Sequence, residues 1–301
     1  MRRNSVLLSP RLRYPVGVAK PNYIEFPGGV QIPILYEDRS VLALDKPRGW
    51  MLVPSSWQAT SRNLQAALNS SIQHGDFWAR SRGLKFLRFI HRLDADTTGI
   101  LLLGKSPGAV RALSALFESR EVEKVYVTVV QGTPSAAEWT CRLKLAPDPD
   151  RAGRVRVDPA KGKPAETRFR VLERSAQGTL LEAWPLTGRT HQIRVHLARS
   201  GHPVVGDVLY GGAKDPTEHL ALRAWRLSYR DPFTHRRVRI QAPLDKFLER
   251  FGFVHAVQWQ ARSFATNTGD ERIAKGRHSG ASVVSPRHPF SRDSSCPGQD
   301  S

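Results

Sequence analysis

The chain has 301 residues, with 46 basic against 27 acidic side chains and a formal net charge of +19. Hydrophobic residues make up 40% of it, enough for a packed core, yet every apolar run falls short of the roughly 18 residues that a membrane-spanning helix needs. Two cysteines, Cys141 and Cys296, exclude a disulfide scaffold and a four-cysteine zinc site, and point to a reducing, cytoplasmic setting. The excess of positive charge points to a polyanionic partner, nucleic acid before any other.

The first twenty residues carry Arg2, Arg3, Arg11, Arg13 and Lys20, and no acid precedes Glu25. A mitochondrial transit peptide has this composition, and so does an arm that follows a phosphate backbone. Pro10 and Pro15 would break the amphipathic helix of a transit peptide, so residues 1–30 are read as a basic arm. Without an apolar h-region, a secretory signal is not expected.

Strand patterns follow at 32–36, 41–44, 100–103, 124–130, 139–145, 153–157, 167–171, 180–184 and 220–229. A further strand at 238–241 comes after the Asp231–Pro232 turn and reads as a hairpin partner of the one before it. Within 124–130 the alternation puts Val125, Val127 and Val129 on one face and Tyr126 and Thr128 on the other. Ser106 can cap a helix that starts at Pro107, with Val110, Leu113, Leu116 and Phe117 as its apolar stripe. A second helix is expected over 189–199, stopped by Gly201 and Pro203, and a third over 244–251. Strands outnumber helices and do not alternate with them. This predicts an α+β domain over residues 31–255, a central mixed, mostly antiparallel sheet flanked by helices. Residues 256–301 are Ser-, Gly-, Pro- and Arg-rich and are expected to be a disordered tail. No GxGxxG or Walker motif offers a seat for a nucleotide cofactor.

Three segments can carry chemistry. The first, His91-Arg92-Leu93-Asp94-Ala95-Asp96-Thr97-Thr98-Gly99, runs straight into the apolar strand at 100–103. Such a loop can hold one carboxylate at the rim of a cleft, with Gly99 turning the backbone into the sheet. The same residues also suit a plain Asp/Thr/Gly turn. The second runs from Leu186 to Leu197 and includes Gly188-Arg189-Thr190-His191-Gln192-Ile193-Arg194. A helix starting near Arg189 places His191, Arg194 and Ala198 on one face. Arg194 is then either a guanidinium aimed at a site or a solvated helix charge. A zinc site is disfavoured, since His191 and His196 are five apart with no acid between them. The third, from Gly201 to Gly211, is rich in glycine and short apolar residues and reads as scaffold packed close to other backbone.

Together these segments resemble the RluA-type family of RNA pseudouridine synthases. The family's HRLDxxTSG appears as HRLDADTTG at 91–99, and its GRTHQIRVHL and GHPxxGDxLYG segments appear at 188–197 and 201–211. Its VxKxYxAxVxG pattern appears as Val122, Lys124, Tyr126, Val130 and Gly132, with Thr128 in place of alanine. The opening is similar too, in Leu35-Tyr36-Glu37-Asp38 and Asp45-Lys46-Pro47-Arg48-Gly49. The likeness covers roughly 32–245; Thr98 replaces the usual serine, and Arg223 stands where a histidine is common. No separate RNA-binding domain fits in the thirty residues before the catalytic unit, so the chain is similar to the short, single-domain members.

The resemblance implies a pseudouridine synthase fold and isomerisation of uridine to pseudouridine in ribosomal or transfer RNA, with no cofactor and no metal. It makes Asp94 the essential carboxylate, Arg194 its ion-pair partner, with a guanidinium able to pair in one- or two-bond fashion, and Tyr126 the side chain against the target base. Leu222 is the apolar contact near the aspartate, and Arg92 fills the vacated space in the RNA or holds a flanking phosphate. From the residues themselves, His91 is read as shaping the loop, and Lys46 and Arg48 as RNA-backbone contacts or else solvated surface charges. A monomer without an obligate protein partner is expected. Two rivals are a non-catalytic RNA binder, which would not need Asp94, and a glycoside hydrolase, which needs two separated carboxylates where this chain offers Asp94 and Asp96 in one loop.

Overall fold

The computed structural model describes residues 19–52, 62–211 and 219–253. Most of the basic arm and all of the proposed tail lie outside these residues. The elements run β1 (Tyr23–Phe26), β2 (Val30–Glu37), β3 (Val41–Lys46), α1 (Leu64–His74), α2 (Phe77–Arg80), β4 (Arg88–Phe89), β5 (Thr98–Gly104) and α3 (Pro107–Glu118). They continue with β6 (Glu123–Val130), β7 (Glu138–Pro147), β8 (Val155–Val157), β9 (Lys163–Ser175), β10 (Gly178–Pro185), α4 (Gln192–Arg199), β11 (Leu222–Arg230), β12 (Arg237–Gln241) and α5 (Asp245–Arg250). This is the α+β architecture expected from the sequence.

One sheet runs through the molecule in the order β1-β2-β3-β5-β11-β6-β10-β9-β7-β8, with β12 on β11 and β4 on β5. Every strand pair is antiparallel except β5 with β11. That parallel pair is short: Thr98 opposes Arg223 and Gly99 opposes Ala224. Farther along, β5 takes β4 as its neighbour and β11 takes β12. The two strands thus meet only at the start of β5, where the polar 91–97 loop enters the sheet.

Gly99 makes that meeting possible. A Cβ there would lie 2.1 Å from the Ala224 carbonyl oxygen, and its φ is +103°. On the other edge of β11, Tyr126 of β6 opposes Ala224 in turn. Gly99, Ala224 and Tyr126 therefore form one row across three strands, which fixes the tyrosine beside the mouth of the loop.

Apolar faces pack on both sides. Val125, Val127 and Val129 of β6 join Leu180 and Leu181 of β10, Ile193 and Leu197 of α4, and Phe247 and Leu248 of α5. Leu42 and Leu44 of β3 and Leu101 and Leu103 of β5 are covered by Leu64 and Leu68 of α1 and Trp78 of α2. Ser106 caps α3 as expected, accepting from the Ala109 amide at 3.1 Å.

Three boundaries differ from the sequence reading. The sheet begins inside the segment read as arm, because Ile24 and Phe26 of β1 are buried beneath the hairpin with β2. The helix expected over 189–199 starts at Gln192: His191 has φ +53°, which is not helical, and serves as its N-cap residue. Helix α1 was not anticipated, since its buried side is Leu64, Leu68 and Ser71, two leucines and a serine rather than a full apolar stripe.

Candidate active site

The loop from His91 to Thr97 is held from both ends. His91 Nε2 accepts from the Leu102 amide of β5 at 3.0 Å, and its ring stacks on Phe117 of α3 at 4.7 Å. Burial, with Lys124 nearby, pulls the imidazole down to about 4, so it is neutral near pH 7. From below, Lys46 Nζ donates to the carbonyls of Ala95 (2.7 Å), Thr97 (3.0 Å) and Pro47 (3.1 Å). Lys46 is fully buried, and burial lowers its ammonium to about 8 against the pull of Asp96 and Asp94. It therefore has no surface for an RNA phosphate, which corrects the sequence reading: its charge is spent on the loop's carbonyls. Arg48 stays partly exposed beside the loop, with Nε 3.2 Å from Asp96 and about a third of its side chain exposed.

Held in this way, the loop presents Asp94 to a cleft of about 640 Å³. The cleft is lined by His91, Arg92, Lys124, Tyr126, Leu222, His191 and Arg194 among others. Tyr126 and Leu222 come from neighbouring strands β6 and β11 and supply its apolar wall. Burial, reinforced by the charge of Asp94, raises the phenol of Tyr126 well above its ordinary value, so it keeps its proton at neutral pH. Arg92 is exposed at the mouth.

Arg194 reaches Asp94 from α4 through one nitrogen and not through its fork. Its fork belongs to Asp207: Nε donates to Oδ2 at 2.7 Å and Nη2 to Oδ1 at 2.8 Å. Only Nη1 turns to Asp94, with Oδ2 at 3.4 Å. The bidentate pair is with a second, fully buried aspartate, and Asp94 receives the remaining nitrogen. Burial works against the guanidinium charge, and the bonds and charges of Asp207 and Asp94 outweigh it, so the arginine is held charged.

The turn before α4 is fastened by Gln192. Its Oε1 accepts from the Arg189 amide at 3.0 Å and from the Thr187 hydroxyl. Its Nε2 donates to the Glu166 carbonyl and to Thr167 Oγ1, both at 2.9 Å. His191 is thereby aimed at the cleft, with Nε2 3.7 Å from Asp94 Oδ2. His196, by contrast, is fully buried in the core. The two histidines are thus divided between the cleft and the core, and among the described residues no three His, Cys, Asp or Glu side chains group as a metal site.

Three residues near the site were given no role there from the sequence. Asp207 and Tyr210 lie in the segment taken as scaffold. Lys124 faces the cleft two residues before Tyr126, which period-two alternation could have flagged. Burial, with Arg120 close by, lowers Lys124 to about 8. Arg223, the departure noted above, is an ion-pair residue: Nη2 donates to Asp45 at 2.7 Å and Nε to the Pro243 carbonyl at 3.0 Å. A second hollow of about 710 Å³ lies by Glu37, Arg82 and Lys105, near the opposite end of β5. Its acids are engaged: Glu37 by Arg82 and Lys105, and Asp38 by the Ser40 and Val41 amides.

Comparison with known proteins agrees with this geometry. Residues 40–199, more than half of the chain, match the family described as RNA pseudouridylate synthase. The ribosomal large subunit pseudouridine synthase C of Vibrio cholerae is 37% identical over 228 residues, covering 72% of this chain and 67% of that protein. Its namesake from Escherichia coli K12 is 35% identical over 235 residues, covering 72% and 68%. Among solved structures, human RNA pseudouridylate synthase domain containing 1 superposes with a TM-score of 0.60 at 24% identity over 78% of this chain and 95% of that one, a likeness of fold. The chain belongs to the RNA pseudouridylate synthase family and is an isomerase that turns uridine in RNA into pseudouridine.

Proposed function

We propose that the protein isomerises particular uridines of ribosomal RNA, with Asp94 as the essential carboxylate, Tyr126 against the target base and Arg194 as the cation of Asp94. The target class follows the relatives, which are named for the ribosomal large subunit. The observation that carries the roles is the placing of one carboxylate, 18% exposed, at the floor of a cleft between a guanidinium and a protonated phenol.

The reaction breaks the N1–C1′ bond, turns the uracil over and joins C5 to C1′. The hydrogen leaves C5, nitrogen N1 gains one, and nothing is oxidised or reduced. A carboxylate can begin this by attacking C1′ or by taking a proton from the sugar, and both routes need its charged form. Arg194 places a positive charge beside Asp94 without closing over both oxygens, because its fork is held by Asp207. The Tyr126 ring offers a stacking face to the detached base, and its hydroxyl is assigned to removal of the C5 proton. Leu222 excludes water beside it. To enter the cleft the uridine must leave its stack, at a cost of a few kcal/mol. Arg92 at the mouth and Arg48 beside the loop are placed to hold flanking phosphates and offset it. No helix among the described residues is long and apolar enough to cross a membrane. We take the protein to act in the cytoplasm as a monomer.

The test is a purified assay on ribosomal RNA carrying tritium at uridine C5, with pseudouridine read as released tritium. The wild-type protein releases it, and Asp94→Asn does not while still binding RNA. Undiminished release by Asp94→Asn removes the carboxylate from the scheme. Release from transfer RNA alone moves the target class.

A further inference from the structure

We infer that His191 is a positioning residue for Asp94, locked by Tyr210 in the tautomer whose Nε2–H faces the carboxylate. This rests on the reading of Asp94 as the reacting carboxylate.

The chain of hydrogen bonds sets the tautomer. The Val155 amide of β8 donates to the Tyr210 hydroxyl oxygen at 2.9 Å, and that oxygen lies 2.8 Å from His191 Nδ1. With its oxygen already accepting from an amide, the tyrosine has its own hydrogen left to give, and Nδ1 is there to receive it. The neutral ring then carries its hydrogen on Nε2, which stands 3.7 Å from Asp94 Oδ2. That distance is long for a hydrogen bond, as catalytic contacts often are before substrate closes on them.

The anchor of this chain is rigid. The Tyr210 ring lies against two guanidinium groups, Arg154 at 5.4 Å and Arg194 at 5.2 Å, and meets the imidazole edge-on at 77°. The backbone adds a second indication. His191 has φ +53°, a left-handed conformation that a residue other than glycine adopts at a cost, while its carbonyl starts α4 by accepting from Val195 at 2.9 Å. The strain falls on the residue whose ring is turned to Asp94.

The charges around the imidazole keep it neutral. Burial is the largest influence and disfavours the proton; Arg194 and Arg92 act in the same direction, and Asp94 and Asp207 oppose them. The net effect is a lowered pKa. A neutral donor can orient the carboxylate without adding a second full positive charge, which would blunt it.

The full-length protein is tested as His191→Asn and His191→Gln, with Asp94→Asn as reference. Glutamine can return an N–H near the position of Nε2; asparagine tolerates the left-handed backbone but is too short. The expected result is a single-turnover rate lower by about 10- to 100-fold in His191→Asn, with RNA affinity unchanged and substantial recovery in His191→Gln. Nitrogen-15 spectra of the imidazole are expected to show the Nε2–H form at neutral pH. Should His191→Asn fold poorly, Tyr210→Phe keeps the ring, removes the hydroxyl and is expected to release the tautomer and slow the reaction. A native Nδ1–H form or imidazolium at pH 7, a wild-type rate in His191→Asn, or equal losses in Asn and Gln overturns the inference. Any of these beside an inactive Asp94→Asn defeats the positioning role alone; an active Asp94→Asn defeats the reading beneath it.

Discussion

Arg194→Lys separates charge from geometry. Counting charge alone, the exchange is neutral, because a cation stays beside Asp94. The structure predicts otherwise. Arg194 spends Nε and Nη2 on the two oxygens of Asp207 and Nη1 on Asp94, so three nitrogens of one plane serve two carboxylates. A single ammonium cannot reproduce that fork. The side chains of Arg194 and Asp207 are only 7% and 0% exposed, so solvent does little to replace a missing partner. Hydrogen bonds to charged groups contribute about 1.5–3 kcal/mol each. Losing one of the two to Asp207 should therefore cost about 2 kcal/mol of stability. The ammonium settles on the buried Asp207, and Asp94 loses its cation, which is worth a further fall of about 10- to 100-fold in the chemical step. Urea unfolding measures the first effect and single-turnover tritium release from C5-labelled RNA the second. An Arg194→Lys protein with both the wild-type midpoint and the wild-type rate would refute the geometric account.

Three further expectations follow from individual contacts. Gly99→Ala drives a methyl group to 2.1 Å from the Ala224 carbonyl at a φ of +103°, so urea unfolding should show a loss of about 3 kcal/mol or more; a loss under 1 kcal/mol contradicts the close approach of β5 and β11. Tyr126→Phe keeps the ring and removes a phenol that holds its proton, so RNA affinity should stay and single-turnover rate fall; full turnover leaves the ring with stacking alone. Burial raises the Glu37 carboxyl, but the bonds from Lys105 and Arg82 outweigh it and bring it below 4.5. Its ionised form therefore adds stability at pH values above 4.5, and that share is lost as pH falls through the lower, folded value. The stability difference between wild type and Glu37→Gln should be level from neutral pH down to the Glu range and shrink below it. A difference unchanged into acid assigns it to something other than this charge.

Much of the site was legible because its parts sit at fixed spacings. Asp94 precedes the strand that begins at Thr98 by a short loop, and Tyr126 lies in a strand whose alternation fixes its face. What escaped was burial and long-range pairing. Lys46 looks like any surface lysine until β3 is paired with β5 and the 91–97 loop folds over it. Asp207 looks like a turn former, and it is one, since its Oδ1 accepts from the Leu209 amide at 3.1 Å. The same carboxylate holds Arg194, a partner thirteen residues earlier that no local pattern connects to it. The backbone of His191 escaped for a different reason: helical periodicity extended α4 back to Arg189, whereas the left-handed turn at His191 precedes the helix.

The second aspartate also offers a way for one arginine to serve the carboxylate proposed to react without disabling it. Had Arg194 only Asp94 to face, the favoured arrangement would be the bidentate fork, with both oxygens tied and the charge compensated as fully as geometry allows. Such a pair keeps a carboxylate ionised and makes it inert. Here the fork closes on Asp207, which is fully buried and takes no part in the cleft, and Asp94 receives one nitrogen at 3.4 Å. Its cation touches it through a single long bond and leaves the other oxygen untied by the fork. The exposure of 18% that remains on the Asp94 side chain is the surface on which a ribose can act. A segment that reads as glycine-rich scaffold thus sets the strength of the ion pair, and the catalytic loop and the 201–211 loop must be understood as one device.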